Sequence, residues 1–205
     1  NEIKATLKGL APDTDYEYRL RYEDGDIESI SEPVAFTTEE QVSLYNGGFE
    51  DWWVDGNIQY PNERGKNYWD TKNQLAASFG GSNTIGITDI VHGGNMAARL
   101  ESKYIVIRFS AASLFTGSFL EHSTDGENVN WGTPFTSRPT ALKGWMQYAP
   151  AGIAGTLGYN SDAPADAPGI GEPDVCAIFC ALLSEALTVD NTDMSTFPDF
   201  ETDPR

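Results

Sequence analysis

The chain has 205 residues, 40% of them hydrophobic and 12% aromatic, with a formal net charge of −18. That composition allows a sizeable core and excludes wholesale disorder, while the charge excludes phosphate backbones and anionic lipid surfaces as partners and leaves neutral sugars and divalent cations open. No apolar run reaches the roughly 18 residues that a membrane span requires, so membrane insertion by this segment is not expected, and the charge makes a nucleic-acid partner unexpected as well.

Taken in chain order, residues 1–40 read as strands separated by turns. A polar turn holding Gly9, Pro12 and Asp13 precedes a run in which Tyr16, Tyr18, Leu20 and Tyr22 alternate with Glu17, Arg19 and Arg21. Period two predicts one half-buried strand. Asp24-Gly25-Asp26 predicts the next turn, and a short strand closes at Phe36-Thr37-Thr38. The run Leu10-x-Pro12-x-Thr14-x-Tyr16-x-Tyr18, with that closing strand, resembles the last three strands of a fibronectin type III domain. The resemblance implies that Tyr16 anchors a strand corner by a backbone hydrogen bond. Three strands do not close a seven-strand sandwich, so residues 1–40 are expected to be the incomplete end of an Ig-like domain.

From residue 41 onward, apolar or alternating stretches recur at 97–100, 104–109, 114–120, 142–148 and 175–183, punctuated by Gly, Asn, Asp, Pro and Ser. Many short strands at such spacing predict an all-β sandwich or barrel. The segment 178–187 alone has a helical look, and 162–171 reads as a Pro/Ala/Gly loop. Cys176 and Cys180 lie too far apart along a strand for a disulfide and are expected to be buried free thiols. The polar C-terminal stretch from Asp190 onward shows no closing apolar strand, so the domain at 41–205 is expected to be truncated at its end.

The most informative motif is Asn46-Gly47-Gly48-Phe49-Glu50-Asp51-Trp52, which is similar to the opening at the first strand of many jelly-roll carbohydrate-binding modules. It is followed in order by Tyr68-Trp69-Asp70-Thr71-x-Asn73, Gly93-Gly94-x-Met96-Ala97-Ala98-Arg99-Leu100, Phe115-Thr116-Gly117-x-Phe119, and Gly132-Thr133-Pro134-Phe135 with Arg138, Trp145 and Tyr148 beyond. Together these resemble the putative carbohydrate metabolism domain of Bacteroidetes over roughly residues 44–190. The resemblance implies a jelly-roll β-sandwich, preceded by the Ig-like strands. It further implies a polysaccharide-utilisation context, a secreted protein at the periplasmic or outer-membrane surface, and a concave glycan site without established hydrolase machinery.

Sugars present apolar C–H faces ringed by hydroxyls, so their sites combine aromatic platforms with planar polar groups. Trp69 and Trp131, set among polar residues, are the expected platforms, with Asn73, Arg99, Glu101 and Arg138 as polar contacts; Trp145 reads as core. Arg99 and Glu101 share one strand face and suit either an ion pair or the groove. Glu50 and Asp51 are the candidates for a structural Ca²⁺, and no other cofactor is expected. The leading expectation is non-catalytic binding of an oligo- or polysaccharide by a monomer. A glycoside hydrolase would need a carboxylate pair, drawn from Glu50, Glu101, Glu121 and Asp174, with His122 beside Glu121; a structural or adhesive module would bury every tryptophan.

Overall fold

The computed structural model describes residues 4–105, 108–121, 128–153, 168–190 and 192–199. Chain packing divides it into two units, Asn1–Leu44 and Tyr45–Arg205.

The described strands of the first unit are β1 (Asp15–Tyr18), β2 (Arg21–Asp24), β3 (Ile27–Ile30) and β4 (Val34–Thr37). β2 and β3 join through Gly25-Asp26, with Gly25 at φ +58°, the left-handed geometry that two-residue hairpin turns favour. β1 pairs with β4, but the register slips between the two ladders: Tyr18 faces Val34, whereas Arg21 faces Ile30. Two residues on one side therefore span three on the other, a one-residue bulge. Pro33, which has no N–H to donate, lies within it. Ser31 closes the gap, donating its N–H to the Leu20 carbonyl and accepting the Leu20 N–H on Oγ, both at 2.9 Å.

The single strand predicted over Tyr16–Tyr22 is thus two strands. Of its apolar face only Tyr16 is half-buried, under Phe36 at 5.8 Å, while Tyr18, Leu20 and Tyr22 are exposed. One hairpin layer shields a ring only where a cross-strand neighbour lies over it. The corner bond expected of Tyr16 is present: its hydroxyl accepts the Ala11 N–H at 2.8 Å. Tyr16→Phe is expected to remove about 1 kcal/mol of local stability and to speed exchange of the Ala11 amide several-fold, as read by hydrogen exchange.

The second unit contains β5 (Trp53–Asp55), β6 (Ile58–Tyr60), β7 (Trp69–Asp70), the short helix α1 (Asn73–Ala77), β8 (Thr84–Ile87), β9 (Ala97–Leu100), β10 (Lys103–Ile105), β11 (Arg108–Ser110), β12 (Phe115–Phe119), β13 (Asn128–Trp131) and β14 (Leu187–Asp190). The described residues are all-β apart from α1 and one turn of 3-10 helix at Met194–Thr196. β5–β6, β8–β9 and β10–β11 are antiparallel pairs, and the largest sheet has the order β14-β13-β12-β7, also antiparallel. The core sits on this sheet: Val129 faces Val189, and Leu187 faces Trp131. Val129, Leu187 and Val189 are all buried, with exposed Thr188 between the last two, the period-two signature of a strand with one covered face. Buried Ala76 and Ala77 come from α1, and Asn62, Thr71, Asn73, Asn83 and Thr84 of this unit are buried too. Polar groups at that depth are as a rule hydrogen-bonded, as the Asn62 and Asn73 amides are, whereas Asn83 Oδ1 is buried without a partner among the described residues.

Several expectations are corrected. β14 is not among the stretches predicted as strands; its two buried residues lie between the polar flanks Ser184-Glu185 and Asp190 onward. Asp190 ends it by accepting the Thr192 hydroxyl and N–H, which holds its carboxyl below the usual range. Residues 178–186 are not helical, and the stretches 142–148 and 175–183 are exposed segments rather than strands. They flank an isolated antiparallel bridge between Gly152 and Pro173, where the proline cannot extend a ladder. Cys176 and Cys180 are free, as expected, but exposed rather than buried. The stretch 104–109 divides between β10 and β11 rather than forming one strand. Most of the loop at 162–171, and His122, lie outside the described residues. Among the described residues no helix is long and apolar enough to cross a membrane.

Candidate functional site

The Asn46–Trp52 motif forms a turn, not the first strand. Asn46 and Phe49 take φ +44° and +57°, a region in which asparagine is tolerated because its side chain can bond locally. The Asn46 amide donates to the carbonyls of Asp51 and Pro61 at 2.9 and 3.1 Å and accepts the Asp51 N–H at 3.0 Å. Trp52 donates its indole N–H to the Phe49 carbonyl at 2.8 Å, and its ring lies where a Cβ on Gly86 of β8 would be. The Glu50 carboxylate accepts the N–H groups of Asn95 and Met96 at 2.9 and 3.1 Å, pinning the Gly93-Gly94 turn. The motif is a clasp between the chain entry and β8–β9. Backbone N–H donors suit a carboxylate and not a cation, Asp51 is exposed, and no group of three or more His, Cys, Asp or Glu among the described residues can hold a metal.

Two further amides act as clasps. Asn62 donates to the Trp69 carbonyl at 2.8 Å and accepts the Trp69 N–H at 3.0 Å, aligning β7. Asn73, expected to contact sugar, is only 1% exposed. Its Nδ2 donates to the carbonyls of Gln59 and Thr84 at 2.7 and 2.6 Å, and its Oδ1 accepts the N–H groups of Asn83 and Thr84 at 3.1 and 3.0 Å. Its hydrogen-bonding groups are thus engaged within the protein.

One hollow opens where β13 ends and β14 begins. It is a groove of about 460 Å³ lined by Trp131, Asn130, Asn67, Ser118, Thr133, Thr188, Pro134, Leu187 and Ala186, with Gly117 and Gly132. Trp131 is half-buried, braced by Phe197 edge-on at 5.7 Å and by Phe179 at 6.0 Å. Its cross-strand partner is Gly117 at φ +128°, which leaves the space opposite the indole free of a side chain. A Cβ there would run into the Asn130 carbonyl oxygen. Gly117→Ala is therefore expected to destabilise the fold by about 2–3 kcal/mol. Gly132→Ala, at φ +89° but with open space around its Cβ, is expected to cost only about 1 kcal/mol; paired thermal melts check the difference.

A second hollow of about 180 Å³ adjoins the first, sharing Asn67, Gly117 and Ser118 and adding Tyr60, Asn62, Trp69, Asp70, Gln74 and Phe119. Trp69, one of the two expected platforms, is half-buried in β7. Its indole N–H is held by the Tyr45 carbonyl at 2.7 Å and its ring packs on Phe49 at 5.1 Å. Asp70 accepts the N–H of Thr71 and, at 2.8 Å, that of Phe119. Burial, then the Asp55 charge, lifts the Tyr60 hydroxyl above its ordinary pKa, keeping it a neutral group beside the stacked ring of Trp53 at 4.1 Å.

The other site candidates lie outside these hollows. Arg99 and Glu101 pair with each other at 3.2 Å on an exposed face, and Arg138 is exposed in the loop after β13. Glu121 accepts the Asn128 amide at 3.0 Å, and Asp174 accepts the N–H of Val175 at 2.8 Å. Trp145, expected in the core, is 80% exposed and stacks on His92 at 3.8 Å. Sequence reasoning missed the Asn67, Asn130, Thr133 and Thr188 lining, for which the polar, Gly-bounded run Asn128–Thr133 was the available signal.

No curated protein and no solved structure matches the chain. The family model described as "putative carbohydrate metabolism domain" matches residues 41–201, most of the chain and the whole of the described lining of both hollows. The chain belongs to the putative carbohydrate metabolism domain family.

Proposed function

We propose that this domain is a non-catalytic glycan-binding module of a secreted or cell-surface polysaccharide-utilisation protein, with a jelly-roll layout and the first unit as the end of a fibronectin type III-like domain. The observation that carries the reading is the braced indole of Trp131 in a groove beside the Asn130 and Asn67 amides and the Thr133 hydroxyl. An indole face receives the C–H face of a pyranose, and amides and hydroxyls match its rim of hydroxyls. Binding is favoured over hydrolysis because glycosidases flank the scissile bond with two carboxyl groups. Among the described residues lining either hollow the one carboxylate is Asp70, engaged by backbone N–H groups. Retention on immobilised glycans, compared between the unaltered chain and Trp131→Ala, tests the proposal. A glycan retained equally by both, or retained by neither, sinks it.

A further inference from the structure

Charge is conspicuous in this chain and missing from its groove. With 21% of residues charged, eleven lining positions would hold about two charged side chains by composition alone. The described lining of the Trp131 groove has none: its polar groups are the amides of Asn67 and Asn130 and the hydroxyls of Ser118, Thr133 and Thr188. Thr188 donates its hydroxyl to Asn130 Oδ1 at 2.6 Å, which leaves the Asn130 Nδ2 hydrogens for a ligand acceptor. Donors and acceptors of this kind recognise hydroxyls without a countercharge.

The surroundings carry the opposite of what an acidic ligand needs. The chain's net charge is −18, and the adjoining hollow contributes the Asp70 carboxylate. Uronate and sulfate groups are bound by cations, with arginine supplying a bidentate fork. Arg99 is already paired with Glu101, and Arg138 does not line the groove. An acidic polysaccharide would thus enter a negative field with no compensating cation along the described lining, which disfavours it in both encounter and bound state.

Resting on the glycan-binding reading, we propose that the Trp131 groove selects neutral glycans and rejects polysaccharides bearing uronate or sulfate. Discrimination here works through an unpaired charge held against the wrong partner as much as through contacts with the right one.

The test is affinity electrophoresis of the full chain through gels containing neutral polysaccharides (a mixed-linkage β-glucan, a xylan, a mannan, a starch) or acidic ones (polygalacturonate, alginate, chondroitin sulfate). Trp131→Ala and Trp131→Phe run alongside, and thermal melts establish that both variants are folded. The expected result is retention by at least one neutral glycan, little changed by added salt, lost in Trp131→Ala and partly kept in Trp131→Phe. Affinity for every acidic glycan should be at least about tenfold weaker. Trp131-dependent retention on an acidic glycan that fades with salt overturns the selectivity while leaving glycan binding standing. Absence of retention on both sets overturns both.

Discussion

Asn73→Ala is expected to destabilise the second unit by about 3–5 kcal/mol, more than Gly117→Ala does. The Asn73 amide serves four backbone groups from two other segments: the carbonyls of Gln59 and Thr84, and the N–H groups of Asn83 and Thr84. Alanine would leave these groups in a site that is 1% exposed, and each buried group left without a partner costs about 1–3 kcal/mol. The better helix propensity of alanine in α1 returns only about half a kcal/mol. For a unit of this size the melting temperature should fall by about 10 °C. Asn73→Asp separates hydrogen bonding from shape. It keeps acceptors for the two N–H groups but turns a carboxylate oxygen toward the two carbonyls. Such a carboxyl is disfavoured in its charged form, so its folded pKa is raised and the variant should regain stability as pH falls through that value. A melt of Asn73→Ala within about 2 °C of the unaltered chain would show that the clasp does not hold these segments together.

The second large effect is on binding. Trp131→Ala is expected to weaken glycan affinity by about tenfold to a hundredfold, the range over which a central aromatic anchor acts. Its effect on folding should be smaller than that of Asn73→Ala, because the indole is half-buried and faces the groove with part of its surface. Trp145→Ala is the contrasting case. At 80% exposure its removal should shift stability by less than about half a kcal/mol, against the core position its apolar neighbours predict. Trp69→Ala should act through folding, since its indole N–H ties β7 to Tyr45 and its ring covers Phe49. Titrations and melts on the three variants separate the three outcomes.

Alternation and turn chemistry were legible from local sequence. Phe115–Phe119 and Ala97–Leu100 are strands where the pattern puts them, Gly25 turns where Asp24-Gly25-Asp26 predicts, and the Tyr16 hydroxyl meets the backbone as its motif implies. These features depend on neighbours within a few residues, so a linear reading captures them. β14 escaped because its two buried residues are separated by a threonine and bounded by polar segments, too short a signal without its partner β13.

What the sequence by itself determined, then, is an all-β chain of the putative carbohydrate metabolism domain family, rich in aromatics and too acidic to favour anionic partners. The tertiary structure decided which polar and aromatic residues are engaged within the protein and which face a hollow. Asn73 and Asn46 carry the same amide as Asn130, and nothing in their own segments says that the first two are held by distant carbonyls while the third borders a groove. An amide's partner is chosen by chain closure from as far as 15 residues away, and an indole's exposure by whatever strand or loop is brought across it. Those are properties of the folded arrangement: Trp131 stays in the candidate site, while Asn130 and Asn67 line its groove in place of Asn73 and Arg99.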